Sequence, residues 1–318
     1  MSVDIVGLGN PVMDLVINVP FMPPKDGAVG ANEIFYQGGG KVSTAMAACA
    51  RLGVPAGILA KLGGDFTGDF VIRDFEYNGV DTSRILRDKE GTTGSFVISL
   101  SEVETGTRIF IGRKRTAAAM TVSELDYDYI AAAKYLLLEN GEDYSVEAAK
   151  FAKKSGVTVA LDGDSYTESM EKLLPFVDVF IGSEFYHEKR FGSLSIEESC
   201  REIMRAGPGT AWFTLGARGC AGVADGEFRE LPCFEVAVRD TTGAGDVFHG
   251  AYLAALSRGH SNAECARYAS AASAIKCTFV GGRTGIPNRA VLEGFLRDGV
   301  IDTGELEERL RHYRAIEN

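Results

Sequence analysis

The chain has 318 residues, of which 45% are hydrophobic and 24% are charged. This composition is that of a globular protein and excludes collagen-like, coiled-coil and disordered chains. Lys and Arg number 33 against 44 Asp and Glu, so the net charge is −11. We therefore expect no nonspecific binding to nucleic acid or to anionic membranes, because both depend on a positive surface. The 38 glycines are the unusual feature, and their positions decide what they mean.

The six cysteines form no CxxC pair, and scattered free thiols are typical of a reducing compartment. The first residues, MSVDIVGLGNP, lack the basic segment of a signal peptide. No uncharged apolar run reaches the length of about 18 residues that a membrane span needs. These features predict a cytoplasmic protein.

The N-terminal third predicts strands that alternate with helices. Short apolar runs predict strands at residues 3–8, 15–19 and 56–62, and residues 33–37 alternate aromatic and polar side chains, a pattern typical of a strand. Runs without helix breakers predict helices at residues 41–52, directly after three glycines, and 66–78. A strand–turn–strand pattern at residues 92–100 and 108–111 then predicts a small antiparallel sheet beside the main one.

The rest of the chain predicts repeated βα units. Strands are expected at residues 135–138, 157–161, 179–181 and 211–215, with helical stretches between them. Further helices are expected at residues 245–256, 262–275, 289–296 and 305–313. This order predicts an α/β fold with a mainly parallel sheet. In such folds ligands bind in the loops at the carboxyl ends of the strands.

The segment DTTGAGD, residues 240–246, carries the strongest chemical signal. It follows a strand-like stretch at residues 234–238 and opens a helix rich in small residues. The N–H groups of Gly243, Ala244 and Gly245 together with the helix dipole predict an anion site. Asp246 lies just inside the helix, where a carboxylate is stabilised in its ionised form and can accept a proton from a hydroxyl. The pairing of a base with an anion site predicts phosphoryl transfer.

The same segment resembles the C-terminal signature of the ribokinase-like (PfkB-type) carbohydrate kinases. Other stretches resemble landmarks of that family in the same order: GLGNPVMD at 7–14, GGGKVSTAMAACARLG at 38–53, GGDFTG at 63–68, GVDT at 79–82, TLGARG at 214–219 and GIP at 285–287. The resemblance covers essentially the whole chain. It implies one ribokinase-like kinase domain over residues 1–318. The implied fold is a three-layer core with a mainly parallel sheet, plus a small β-sheet lid formed by residues 11–37 and 92–115. The family often dimerises through this lid, so a homodimer is expected.

The resemblance also implies a role for particular residues. Asp246 is the general base, and the backbone of residues 243–246 is the anion hole. The implied sugar-facing residues are Asp14, Gly40, Lys41, Thr44 and Glu139. The implied ATP-site residues are Thr214, Gly216 and Gly219. Asp240 and Thr242 match positions that bind a monovalent cation such as K⁺, and Mg²⁺-ATP is the implied phosphoryl donor.

Two positions depart from the family pattern. Thr44 stands where the family usually has Asn, which changes the hydroxyl that this position can recognise. Ser183 and Tyr186 replace the Asn and Glu of a motif that organises Mg²⁺ through water. Glu184, or alternatively Glu188, is expected to take over part of that role.

The substrate stays open between several classes. A neutral pentose or ketohexose is the first choice. An anionic sugar (sulfofructose, a keto-deoxy sugar acid or a sugar phosphate) is suggested by Lys41, Thr44 and the basic run 113–115, and a nucleoside is the third class. A non-catalytic sugar-binding regulator is disfavoured because the base and the anion hole are both present. A dinucleotide-binding fold is rejected because Val12 stands where its third glycine belongs. His249 is interpreted as packed or solvent-facing.

Overall fold

The computed structural model describes residues 3–93, 96–102 and 108–315. The strands in these residues are β1 (Ile5–Leu8), β2 (Val12–Val19), β3 (Glu33–Gly39), β4 (Ala56–Gly63), β5 (Ile85–Asp88), β6 (Phe96–Glu102), β7 (Arg108–Gly112), β8 (Tyr135–Leu138), β9 (Thr158–Gly163), β10 (Val179–Ser183), β11 (Thr210–Thr214), β12 (Cys220–Ala224) and β13 (Glu227–Leu231). The α-helices are α1 (Lys41–Arg51), α2 (Phe66–Tyr77), α3 (Tyr127–Ala131), α4 (Asp143–Lys154), α5 (Glu184–Phe191), α6 (Ile196–Ala206), α7 (Ala244–Leu256), α8 (Asn262–Cys277), α9 (Arg289–Asp298) and α10 (Gly304–Ala315). Within the described ranges, no helix has the length and apolar character to cross a membrane.

The main sheet has nine strands in the order β13-β12-β11-β10-β9-β8-β1-β4-β5. Neighbouring strands are parallel from β11 to β5, whereas β12 is antiparallel to both β11 and β13. The carboxyl ends of the parallel strands therefore lie at one edge, where their loops meet the helix N-termini.

Helices cover both faces of the main sheet. The helices α1, α2 and α7 to α10 contribute to one buried apolar cluster, and α3 to α6 contribute to another. The strands divide between the two clusters because successive side chains point to opposite faces, as Ile5 and Val6 do. This arrangement confirms the predicted three-layer α/β core.

Gly7 shows how closely the layers pack. A β-carbon on Gly7 would lie 2.5 Å from Cγ1 of Val42 and 2.7 Å from Cγ of Met46, both on α1. These distances are well inside van der Waals contact, so any larger residue would push α1 away from β1. The first glycine of the GLG triplet thus serves helix packing, in agreement with the rejection of a dinucleotide-binding motif.

Within the described residues, a second sheet has four strands in the order β3-β2-β6-β7. The pairs β2–β3 and β6–β7 are antiparallel, but β2 and β6 are parallel, with Met13 opposite Phe96. The predicted small sheet is confirmed, and the strand pair predicted at residues 92–100 and 108–111 is antiparallel as β6–β7. The parallel pair β2–β6 was not predicted. A tight hairpin can join only antiparallel strands, and β2 and β6 are joined through the long excursion that contains α1 and α2. The predicted lid segment 92–115 includes residues 94, 95 and 103–107, which lie outside the described residues.

The stretch 234–238 is not a strand, contrary to the prediction. Phe234 and Val236 instead pack against the apolar cluster, and the ring of Phe234 lies 5.4 Å from that of Phe295 on α9. Their alternation reflects packing on helices rather than pairing with a strand. Three strands were not predicted: β5, β12 and β13.

Candidate active site

Five charged side chains converge at the carboxyl edge of the main sheet, and we call them the charged cluster. The cluster consists of Lys41, Glu139, Asp162, Asp164 and Asp246. Its members stand where strands end and helices begin, on β9, directly after β8 and β9, and in the first turns of α1 and α7. The doubly wound sheet therefore brings together residues that are up to 205 positions apart in sequence, from residue 41 to residue 246.

The N-terminus of α7 presents backbone donors beside this cluster. Gly243 precedes the helix with φ 75°, a left-handed conformation that favours glycine. The N–H of Ala244 donates to the Thr241 carbonyl oxygen at 3.2 Å, and that of Val247 donates to the Gly243 carbonyl oxygen at 2.9 Å. The N–H groups of Gly245 and Asp246 lie between them in the first turn, where helical N–H groups have no partner within the helix. These two groups and the helix dipole form an anion cradle.

Asp246 is half-buried in the first turn of α7. Burial raises the pKa of its carboxyl well above the usual range, and the carboxylates of Asp162 and Asp164 raise that pKa further. The Lys41 ammonium acts in the opposite direction. The sequence predicted that the helix N-terminus keeps Asp246 ionised, but the pKa shifts the other way. Burial and like charges outweigh the helix dipole, which contributes only about 0.3–1 kcal/mol. A raised pKa makes Asp246 a stronger proton acceptor.

Lys41 is the cationic member of the charged cluster. Its ammonium nitrogen lies 2.8 Å from Oδ2 of Asp164. Burial lowers the pKa of Lys41, but the carboxylates of Asp162 and Asp164 outweigh burial and raise it. Lys41 therefore stays protonated at neutral pH and offsets part of the cluster's negative charge.

Asp162 lies fully buried at the end of β9 and was not among the predicted site residues. Its Oδ1 lies 3.3 Å from Nε2 of His249, a buried residue on α7. Burial works against ionisation of Asp162, but His249 and Lys41 outweigh it and lower its pKa. Its Oδ2 has no hydrogen-bond partner within the described part of the chain. The available signal was the position of Asp162 at the carboxyl end of an apolar strand. His249 is packed, one of the two environments predicted for it.

The Glu139 carboxylate connects the loop after β1 to the start of α1 through hydrogen bonds. Its Oε1 accepts from the backbone N–H of Asn10 at 2.7 Å, and its Oε2 accepts from that of Val42 at 3.1 Å. Burial raises its pKa, whereas the two backbone hydrogen bonds act to lower it. The carboxylate thus supplies the acceptor that the first turn of α1 lacks, since Gly40 has no capping side chain. A β-carbon on Gly40 would lie 2.7 Å from the Asn10 carbonyl oxygen.

Asp14 lies on β2 beside a buried ion pair that no sequence motif predicted. Burial raises the pKa of Asp14 to about 7, Arg283 partly opposes this rise, and Asp74 adds to it. Arg283 is fully buried and pairs with Asp74. Its Nε donates to Oγ1 of Thr44 at 3.4 Å, so the shorter Thr at this position contacts a buried guanidinium.

The predicted nucleotide residues lie around the end of β11. Thr214 ends the strand, and Gly216 and Gly219 flank a tight turn with φ 58° and 87°. A β-carbon on Gly219 would overlap the Leu231 carbonyl oxygen. Gly216, by contrast, is exposed and faces open space. This turn leaves room for a ligand over Gly216.

Ser183 and Glu184 make local contacts. Oγ of Ser183 accepts from the backbone N–H of Tyr186 at 3.1 Å and donates to the Asp164 carbonyl oxygen, so it caps α5. Glu184 pairs with Arg218. Neither side chain has the free carboxylate or amide that a direct Mg²⁺ ligand needs. The described residues contain no group of three or more His, Cys, Asp or Glu side chains that could hold a metal ion.

Asp240 joins two loops behind the anion cradle. Its Oδ1 accepts from the Thr242 N–H and its Oδ2 accepts from the Gly281 N–H, both at 2.8 Å. Burial works against its ionisation, but Lys276 and these hydrogen bonds lower its pKa. Oγ1 of Thr242 is buried without a partner in the described residues.

The three residues of the basic run 113–115, near the small sheet, differ in their contacts. Arg115 donates to Oδ1 of Asn10 at 2.9 Å and to the carbonyl oxygens of Lys61 and Ala118 at 3.1 and 2.9 Å. Arg113 and Lys114 are exposed. The guanidinium of Arg115 is therefore occupied in holding loops together.

The sequence profile described as pfkB family carbohydrate kinase matches residues 2–289. The chain belongs to this family. The protein is thus a kinase, and the family predicted from the motifs is confirmed. A ribokinase of Haemophilus influenzae is 31% identical to this pfkB-family chain over 298 residues, which cover 91% of this chain and 97% of the relative.

Two further proteins are similar over most of their length. A nucleoside kinase of Methanothermobacter thermautotrophicus is 25% identical over 293 residues, which cover 90% of this chain and 93% of that one. The crystal structure of a ribokinase from Thermotoga maritima has a TM-score of 0.81 and 26% identity, and the match covers 93% of this chain and 100% of that chain. Relatives of this pfkB-family kinase thus include both sugar kinases and a nucleoside kinase.

Proposed function

We propose that this kinase transfers the γ-phosphoryl group of ATP to a hydroxyl of a small sugar, a pentose or a ketohexose. The observation that carries the proposal is the placement of Asp246, a half-buried carboxyl with a raised pKa, in the same helical turn as the anion cradle. Phosphoryl transfer to an alcohol needs a base for the hydroxyl proton and, beside it, a site that stabilises the charge of the transferred group.

In the proposed reaction, the sugar hydroxyl oxygen attacks the γ-phosphorus while Asp246 takes the hydroxyl proton. The new O–P bond forms as the bond to ADP breaks, and ADP leaves as the anion. The N–H groups of Gly245 and Asp246 stabilise charge on the transferred group, together with the dipole of α7. The ammonium of Lys41 balances the carboxylates around the reacting atoms.

The remaining predicted residues are assigned to the two substrates. We assign Asp14, Gly40, Lys41 and Thr44 to the sugar side, with Glu139 holding the start of α1 in place. We assign Thr214, Gly216 and Gly219 to ATP. Mg²⁺, when bound, neutralises phosphate charge, and we assign it to the phosphate oxygens and water because Ser183 and Glu184 are engaged in other contacts.

We do not assign a monovalent cation to Asp240 and Thr242, although the resemblance implies one. The ammonium of Lys276 lies 2.7 Å from the Asp240 carbonyl oxygen, and both carboxylate oxygens of Asp240 already accept N–H bonds. The residues present do not fit a bound K⁺ at this place.

We assign the four-stranded sheet as the lid of a single domain, closing over the sugar and excluding water from the reaction. Support for a homodimer through this sheet comes from its large exposed apolar side chains. Ile34, Ile109 and Ile111 are 44%, 44% and 58% exposed. Burying such side chains favours association. A cytoplasmic location stays a prediction.

A nucleoside is the second candidate substrate, because one relative is a nucleoside kinase. The anionic-sugar alternative has less support, since Arg115 is bound to backbone carbonyls and Lys41 is paired with Asp164. A non-catalytic regulator would not need the base and the open amides of α7.

The test is ADP release from ATP and Mg²⁺ with neutral pentoses and ketohexoses, acidic sugars, sugar phosphates and nucleosides in parallel. A reaction without acceptor measures background ATP hydrolysis. We expect ADP release with a neutral sugar well above that background. Release with nucleosides or anionic sugars alone would replace the proposed substrate, and no release with any acceptor would overturn the proposed activity.

A further inference from the structure

Lys276 is a fully buried lysine near the end of α8. Its ammonium donates to the backbone carbonyl oxygen of Asp240 at 2.7 Å. A buried ammonium is costly unless opposite charge and hydrogen-bond acceptors surround it, so its position needs an explanation.

Asp240 supplies the compensating charge. It is itself 3% exposed, and Lys276 is among the groups that favour its ionised form. Asp240 and Lys276 therefore form a buried unit in which the lysine contacts the backbone oxygen while the carboxylate contacts N–H groups of Thr242 and Gly281.

This unit stands directly behind the anion cradle. A β-carbon on Gly243 would lie 2.9 Å from the Gly282 carbonyl oxygen, so the loop before α7 and the loop after α8 are in close contact. The backbone N–H of Arg239 also donates to the Cys277 carbonyl oxygen at 2.8 Å. A cation at Asp240 thus stabilises the backbone of residues 240–243, which directly precedes α7.

We propose that the Lys276 ammonium takes the place of the monovalent cation in this kinase, so that the anion cradle is organised without K⁺. The inference rests on the proposed kinase activity. An ammonium and a K⁺ ion both prefer carbonyl and carboxylate oxygens, and two positive charges at one carbonyl oxygen repel each other. A tethered cation cannot dissociate, so activity should not depend on the salt. Lys276 is a positioning residue, because it acts through the backbone of residues 240–243.

The experiment compares activity in KCl with activity in choline chloride at equal ionic strength. Wild-type activity should differ by less than about twofold between the two salts, the size of a nonspecific ionic effect. Lys276→Ala should lose at least about tenfold in choline chloride and regain several-fold in KCl, since the truncation opens room for the ion. Lys276→Met fills the same space without charge and should stay low in both salts. Lys172→Ala removes an exposed lysine and should match the wild type.

Wild-type activity that falls several-fold without K⁺ would overturn the proposal, as would a Lys276→Ala variant that keeps full activity in choline chloride. Thermal unfolding separates this failure from failure of the proposed function, because it needs no substrate. The wild-type melting temperature should be the same in both salts. A rise in KCl alone would show a K⁺ site and contradict the proposal, even if no acceptor is phosphorylated. If both Lys276 variants fail to fold, the activity and melting temperature of the wild type in KCl and in choline chloride still test the proposal.

Discussion

Nε2 of His249 lies 3.3 Å from Oδ1 of Asp162, and both side chains are buried. His249 follows Asp246 by three residues on α7, so both lie on the same side of the helix. The contact therefore ties the buried end of β9 to the helix that carries the proposed base. Asp162 in turn helps to raise the pKa of Asp246.

Truncating His249 tests this contact. We expect His249→Ala to lower the free energy of unfolding by about 1–3 kcal/mol, because the buried Asp162 then loses its imidazole partner and keeps only the backbone N–H of Asp164 at Oδ1. Asp162→Asn combined with His249→Ala should cost less than the sum of the single changes, with a coupling energy of about 0.5–3 kcal/mol in urea unfolding. His260→Ala is the control, since His260 is exposed. Fully additive single changes would contradict a direct interaction.

Glu139→Gln tests the anchoring of α1. The Gln oxygen can still accept from the Asn10 N–H, but its NH₂ group then faces the Val42 N–H, so two donors meet. We expect unfolding free energy to fall by about 1–3 kcal/mol and the KM for the sugar to rise, because Gly40 and Lys41 begin the same helix. Glu142→Gln changes an exposed carboxylate three residues further on and should be neutral. Equal stability of the two variants would argue against the anchoring role.

The raised pKa of Asp14 predicts that the stability of the protein depends on pH. Burial raises the pKa of Asp14 from 3.8 to about 7, so the folded protein holds a proton that the unfolded chain has released between these values. Asp14 therefore makes the protein less stable as the pH rises through this window. Asp14→Asn removes the effect, and urea unfolding at pH 5 and pH 8 should show its advantage over wild type growing with pH. The pKa shift sets an upper limit of roughly 4 kcal/mol on this change.

The control for Asp14→Asn is Asp26→Asn, which changes an exposed carboxyl in the next part of the chain. Its stability relative to wild type should not change between the two pH values. An Asp14→Asn variant whose relative stability is also constant would show that Asp14 keeps an ordinary pKa.

Much of the fold could be predicted because short-range patterns encode it. The helix that follows Gly40 and the strand that precedes Gly9 were both predicted from apolar runs and breakers. Strands β12 and β13 were missed because they are short and pair with each other at the sheet edge, and residues 234–238 alternate for a different reason. Such cases depend on tertiary neighbours, which periodicity does not report.

The site residues that belong to a recognisable sequence motif, such as Asp246 and Gly243, could be predicted. Asp162, Arg283 and Lys276 belong to no such motif, and their importance comes from burial and from partners that are distant in sequence. Arg283 meets Asp74 and Thr44 across more than 200 residues, and Lys276 meets Asp240 across 36. Likewise, the pKa of Asp246 depends on how many carboxylates the fold gathers around it.

The most direct test of the account is the turnover of Asp246→Asn with the sugar found in the acceptor screen. The amide keeps the shape of the side chain but cannot take the hydroxyl proton, so kcat should fall by about 10²–10⁴. Thermal unfolding and ATP binding should stay close to wild type, because the cradle amides of α7 are untouched. A kcat within about threefold of wild type, equivalent to less than 1 kcal/mol of barrier, would contradict the assignment of Asp246 as the base.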